Sequence, residues 1–271
     1  MRSLENRPDG LPEHLGLAHD IWAPEPVDGR IPDAERDTWL DELVAASAMS
    51  SQFLTAYRIA FQRWRDSFDG DGHYTVLVCS QARLLIGHGN PSPTEVGLTL
   101  HHTWGVPLLP GSALKGLLAH HLHEHAHIPM DRVQRLLGVA PSLEEREATL
   151  TASGDHRGAL IVHDAWWSPP DQTQRTAALL HRDVLTPHHS AYYRDEQTWP
   201  DDHEDPRPLG FVTVRSGTRF LVALSCPDTD LLSLAAHHLV TALFDRGIGS
   251  KTTAGYGRLT VEMSAEDRSC R

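Results

Sequence analysis

The chain has 271 residues, 40% of them hydrophobic and 22% charged, with a formal charge of −12. That composition is ordinary for a globular protein, and no apolar run is long enough to span a bilayer. It also speaks against a free-standing nucleic-acid binder, because such domains are usually basic.

In chain order, residues 1–35 are rich in proline, glycine and acids and read as an extended arm with turns. Leu15-Gly-Leu17 and Ile21-Trp22 give the arm something to dock with. Apolar residues from Trp39 to Trp64 recur at three- and four-residue intervals, so a helix is expected from Asp33 to Arg65, broken near Ser47–Ser51. Tyr74–Ile86 reads as a strand, and a loop punctuated by glycine and proline follows to Pro110. Ser112 is the expected N-cap of a helix reaching about His127, with a short helical piece from Pro129 to Gly138. Ala159–Trp166 is a second strand. Trp167–Pro208 is too long for a simple connection and reads as an insertion. Leu209–Arg215 and Thr218–Cys226 are expected to pair as a hairpin over Ser216-Gly217. Asp228 or Thr229 then caps a helix to about Arg246, and Arg258–Met263 is the last strand. Without the arm and the insertion, this order is an α+β, split β-α-β, ferredoxin-like (RRM-like) core. The division expected is 1–72 as arm and N-terminal helical extension, and 73–271 as the core domain with a thumb-like insertion at about 167–208.

The cysteines, Cys79, Cys226 and Cys270, are few and far apart, which suits a reducing cytoplasm and neither a disulfide framework nor a zinc site. The start of the chain has no apolar stretch of the secretory kind. Only two lysines, Lys115 and Lys251, stand against twenty-two arginines, and each falls in a glycine motif. One motif is Pro110-Gly-Ser-Ala-Leu-Lys-Gly116; the other is Gly247-Ile-Gly-Ser-Lys-Thr-Thr-Ala-Gly-Tyr-Gly257. Successive amides of a glycine turn can form a nest for an anion, and a helix start favours phosphate. The residues expected to meet a phosphate backbone are Gly111, Ser112, Lys115 and Gly116, with Arg246, Gly247, Gly249, Ser250, Lys251, Thr252, Thr253, Gly255, Tyr256 and Arg258. Neither motif is a nucleotide P-loop: Ser250 precedes Lys251, and the glycine loop leaves a helix and enters a strand. From Pro206 to Arg258 six bases stand against three acids, so the binding is expected to be local and completed by partner subunits.

His120-His-Leu-His-Glu-His-Ala-His127 contains the i, i+4 pairs His121/His125 and His123/His127, which could chelate a metal but read better as an incidental solvated helix end. His101, His102, His163, Asp164, Asp183, His188 and His189 could supply acid–base chemistry for RNA cleavage. Trp166, Trp167, Tyr192, Tyr193 and Trp199 could stack on unpaired bases, or equally anchor one element to another.

Taken together, Leu84-Leu-Ile-Gly-His-Gly89, Glu95–His102, Gly105–Gly116, Asp183-Val-Leu-Thr-Pro-His-His189 and Gly247–Gly257 resemble the RAMP proteins of CRISPR systems, most closely the sixth-subunit group of type III-B Cmr effectors. Leu15-Gly-Leu17 is similar to that group's N-terminal arm. The resemblance implies a non-catalytic, cytoplasmic subunit with no cofactor and no membrane. It would contact CRISPR guide RNA and target RNA near the 3′ end of the guide, cap a filament of the backbone RAMP subunit, and touch the first Cmr subunit. Base pairing would supply sequence recognition. The RNA-cutting backbone subunit carries an aspartate in the loop after its first strand; here Gly87–Pro110 has none, and Glu95 is its only acid. A RAMP endoribonuclease processing guide precursors and a His-rich metal-binding protein are the competing readings.

Overall fold

The computed structural model describes residues 11–24, 31–92, 96–124, 127–138, 157–170, 177–186, 198–199 and 208–262. The arm holds a one-turn-and-a-half helix, α1 (Leu15–Asp20). His14 caps it: its Nδ1 accepts from the Leu17 amide at 3.1 Å, and its Nε2 lies 2.8 Å from the His102 carbonyl. Gly105, at φ +63°, lets the arm lie flat, since a Cβ there would sit 2.7 Å from the Leu15 amide nitrogen. Leu15 and Ala18 are buried, whereas Leu17 and Ile21 are exposed. The expected long helix is two helices, α2 (Asp33–Ala46) and α3 (Ser51–Asp66). The break falls at Ser47–Ser50, as expected. Ser50 caps α3 by accepting from the Phe53 amide, and Ser47 Oγ turns away to accept from Leu180.

The main sheet is antiparallel, with five strands in spatial order β2 (Leu108–Leu109), β4 (Ala165–Trp167), β7 (Arg219–Ser225), β1 (His73–Ser80), β8 (Leu259–Val261). A two-residue strand, β3 (Ile161–Val162), lies on β7 beside β4. The expected second strand is thus split at His163–Asp164, where both side chains turn to other work: His163 meets Ser225, and Asp164 meets the start of the helix at Gly111. Two long helices, α4 (Gly111–Glu124) and α6 (Thr229–Asp245), pack on each other, and α6 also packs on β1 and β7. A short α5 (Met130–Leu137) closes their flank. Asp228 caps α6, accepting from the amides of Asp230 and Leu231. One continuous core runs from Leu15 and Trp39 through Phe220 and Leu224 to Leu239 and Leu259.

The expected hairpin between Leu209–Arg215 and Thr218–Cys226 does not form. β6 (Leu209–Val214) pairs instead with β5 (Leu180–Leu185), in a separate two-stranded sheet against α2. The competition for β7 explains this: β1 holds one edge and β3 and β4 hold the other. Gly217, at φ +82°, donates to Ser80 O, and Thr218 N donates to Ser80 Oγ, so the turn is latched to the end of β1. Leu84 then bridges to Val214 with two 2.9 Å hydrogen bonds and takes the remaining edge of β6. The strand expected to continue from Tyr74 to Ile86 accordingly ends at Ser80. Most of the expected insertion, with Tyr192, Tyr193, His188 and His189, lies outside the described residues.

Candidate nucleic-acid interface

The start of α4 differs from the expectation in a way that matters chemically. The helix begins at Gly111, so Ser112 is its second residue rather than its cap, and Lys115 is its fifth. Asp164 Oδ1 accepts from the Gly111 amide at 2.7 Å, filling with an internal carboxylate the place expected for a phosphate. Gly111 is required sterically: a Cβ there would meet Val162 O at 2.3 Å. Gly116 is the opposite case. It is exposed, and a Cβ there would meet nothing within 4 Å. A glycine in a helix interior costs about 1 kcal/mol relative to alanine, and no packing within the described residues repays that cost. Ser112, Gly116 and His120 form an exposed stripe one turn apart, with Lys115 half-buried beside it.

The glycine loop is built by two crossing segments. Gly247, Gly249, Gly255 and Gly257 all have positive φ. Ile248 N donates to Gly257 O at 2.8 Å, and a Cβ on Gly257 would lie 2.0 Å from Ile248 O. Ser250 N donates to Leu85 O and Gly257 N to Arg83 O, which fastens the loop to the segment after β1. Ala254, Gly255 and Tyr256 amides also turn inward, so much of the expected anion nest is spent on the loop's own shape. A short 3-10 turn, Thr252–Ala254, forms the tip, and Thr253 and Gly255 are exposed.

Lys251 stands out. Its φ of +58° makes it the one non-glycine residue in the left-handed region among the described residues. That conformation costs an L-residue roughly 1–2 kcal/mol. It is half-buried, and no ion pair to it occurs among the described residues. Its charge reaches His88, whose pKa is lowered by burial first and by Lys251 second.

Three other expected contact residues have internal partners. Arg246 is ion-paired with Glu124, which also lies 3.3 Å from His120 Nε2. Arg258 donates to Phe244 O and Asp245 O, covering the carbonyl end of α6. Tyr256 points into the protein. Its hydroxyl donates to Asp183 Oδ2 at 2.5 Å, and Arg83 Nη1 lies 2.9 Å from the same oxygen. Burial and then Asp183 raise the tyrosine's pKa. Asp183 is therefore a strut joining β5 to the glycine loop, a role that sequence spacing alone could not reveal because 73 residues separate the partners.

The two lysine motifs do not close into one nest. They lie along one helix: Gly111 sits against Val162 and His163, and Glu124, at the other end, holds Arg246 just before the loop. Lys115 is nine residues short of Glu124, roughly 13 Å of helix.

His101, His163, Asp164, Asp183, Trp166 and Trp167 all have partners within the fold. Ser225 Oγ lies 2.8 Å from both His163 Nε2 and His73 Nδ1. His101 Nδ1 accepts from the Thr103 and Trp104 amides, and its ring stands edge-on to Trp166 at 4.5 Å. Trp166 stacks on Trp64 at 4.9 Å, and Trp167 on Tyr57 at 5.2 Å, with the Tyr57 hydroxyl donating to Trp167 O. The paired tryptophans thus anchor α3 to β4, and Trp199 alone of the described candidates is open, at 80% exposure. His121 is buried beside His238 rather than solvated, at a ring separation of 5.3 Å. No group of three or more metal-ligating side chains occurs among the described residues, and His125 lies outside them. No described helix is long and apolar enough to cross a membrane.

His88, His101 and His163 all have pKa values lowered, in each case by burial first. For His101, Asp164 opposes the shift; for His163, His73 adds to it. The unfolded chain takes up protons near the ordinary value of about 6.5, before these folded imidazoles do. Stability is therefore full above that pH and falls as pH drops through it toward the folded values. The melting temperature should be flat from neutral to mildly alkaline pH and decline on acidification below about 6.5. A His101→Gln variant should show a shallower decline, and a slope identical to wild type removes His101 from the account.

A sequence model of the RAMP superfamily matches residues 81–260. The chain belongs to the RAMP superfamily. As a RAMP protein it resembles the CRISPR system Cmr subunit Cmr6 of Pyrococcus furiosus, at 26% identity over 248 residues, covering 75% of this chain and 72% of that one. Among solved structures it is similar to a chain in the cryo-EM structure of the type III-B Cmr-beta complex bound to cognate target RNA. The TM-score is 0.57 at 16% identity, over 85% of this chain and 74% of that chain. The crystal structure of Pyrococcus furiosus Cmr6 aligns at 25% identity and a TM-score of 0.42, over 70% of this chain and 98% of that one. The matched span of the RAMP model includes α4, the split strand, the Asp183 strut and the whole glycine loop.

Proposed function

We propose that this RAMP protein is a non-catalytic, RNA-holding subunit of a type III-B CRISPR effector complex. It contacts the 3′ region of the guide RNA and target RNA duplex and caps the filament of backbone RAMP subunits beside the first Cmr subunit. The observation that carries this reading is Lys251, a cation kept in a strained left-handed conformation where glycine would be relaxed, on a loop fastened at both crossings. Strain retained at one residue points to a function for that side chain, and a phosphate backbone is the partner that suits a lysine with no ion pair among the described residues, beside the open Gly255. Lys115 and the bare Gly116 extend the track along α4. Similarity to Cmr6 supplies the class of assembly.

The same reading takes residues 73–271 as a ferredoxin-like core, supported by the order last, first, third and second of its strands β8, β1, β7 and β3/β4. Residues 1–72 are then a packed extension, and β5 with β6 is the base of a thumb. The pinned states of His101, His163 and Asp164 favour a binder over a nuclease.

The test is Lys115→Glu with Lys251→Glu in the co-expressed complex. RNA retained on the tagged chain should fall several-fold, and log affinity should lose part of its salt dependence, about 0.7 per phosphate contact removed. Guide RNA content equal to wild type would leave the reading without its main support.

A further inference from the structure

A second cation site lies away from both lysine motifs. The β6–β7 turn and the segment before β5 enclose a cleft of about 200 Å³, lined by Trp167, Ser168, Pro170, Arg215, Ser216 and Arg219 among others. Arg215 Nε is buried and has no hydrogen-bond partner among the described residues, and no ion pair to Arg215 occurs among them. Among the described residues the ion-pair contact of Arg219 is a loose one, 3.7 Å to Glu262. A half-buried guanidinium left unpaired is unfavourable unless something outside the chain completes it. The cleft is smaller than the roughly 300–1,000 Å³ typical of small-molecule pockets, so it suits a compact anionic group. The planar fork of each arginine can donate two parallel N–H bonds to two oxygens of a tetrahedral phosphate group. The site also lies on the right end of the sheet. Gly217 and Thr218 bind Ser80 at the end of β1, and three residues further on Arg83 and Leu85 hold the glycine loop.

The geometry points to a phosphate-binding site at Arg215 and Arg219, which holds a backbone phosphate of the same RNA strand beyond the glycine loop. This inference rests on the RNA-holding reading above. A partner protein's carboxylate is the competing occupant, and the open turn at Ser216-Gly217, with no Cβ contact within 4 Å of Gly217, favours the close approach of a strand backbone.

The experiment compares the full-length chain with Arg215→Gln/Arg219→Gln, Arg215→Lys/Arg219→Lys and Lys251→Gln. Each is titrated with a labelled single-stranded RNA of mixed sequence across about 50–200 mM salt, after a melting curve confirms folding. The glutamine pair should lower the slope of log affinity against log salt by about 0.7 for the phosphate lost, and the lysine pair should keep the wild-type slope. An unchanged slope in the glutamine pair, while Lys251→Gln flattens it, overturns this site and leaves the RNA-holding reading intact. Unchanged RNA binding together with loss of the glutamine pair from the assembled complex assigns the cleft to a protein carboxylate and also overturns it. Failure of the wild-type chain to bind at the lowest salt, both alone and within the co-expressed complex, sinks both.

Discussion

Replacing Asp183 by alanine should lower the stability of the chain by about 2–3 kcal/mol and its melting temperature by roughly 5–10 °C. The carboxylate is 13% exposed and takes two partners on one oxygen, the Tyr256 hydroxyl and the Arg83 guanidinium. Arg83 is 41% exposed, so water recovers part of its loss, which keeps the figure below the range for a fully buried pair. Tyr256 is half-buried against the small cluster of Leu85, Val96 and Phe211, and its hydroxyl loses its acceptor. Tyr256→Phe alone should cost about 1 kcal/mol. In a double-mutant cycle the two changes should be non-additive, since they share one bond. Because the strut joins β5 to the glycine loop, Asp183→Ala should also weaken RNA retention without touching any lysine. A melting temperature unchanged by Asp183→Ala would show that the loop holds its shape without the strut.

Gly257→Ala should be more damaging still, at above about 3 kcal/mol, whereas Gly255→Ala should cost only about 1–2 kcal/mol. Both glycines have positive φ, +76° and +93°, so the backbone penalty of an L-residue is similar at the two sites. They differ in what a methyl group would meet. At Gly257 it would lie 2.0 Å from Ile248 O, inside the crossing where Ile248 N donates to Gly257 O. At Gly255 nothing lies within 4 Å. Denaturant midpoints of the two variants give the comparison directly, and equal losses would refute the steric account of the crossing.

Much of the local structure was legible from residue types. The period of Trp39, Leu43, Tyr57 and Phe61 marked the two helices, and the serines between them marked the break that Ser47 and Ser50 make. Asp228 was readable as a cap because its carboxylate serves amides two and three residues away. The glycine loop was readable because positive φ is a property of the residue itself. The two lysines stood out by count alone.

Competition between distant partners decided the rest. Leu209–Val214 has the pattern of a hairpin strand, but β7 already had two neighbours, so β6 paired with β5. Ser112 has the chemistry of a cap, yet Asp164 from 53 residues away took the amide. Trp166 has the ring to stack on a base, yet Trp64 covers it. Arg246 and Arg258 have the charge for a phosphate, yet they serve Glu124 and the end of α6. The sequence by itself therefore determined the long helices, the Asp228 cap, the glycine loop and the superfamily, because these rest on local backbone preference and on motifs contiguous in the chain. Only the tertiary structure decided which cations remain unpaired and which rings remain bare, because each such group has several possible partners and the folded geometry chooses among them.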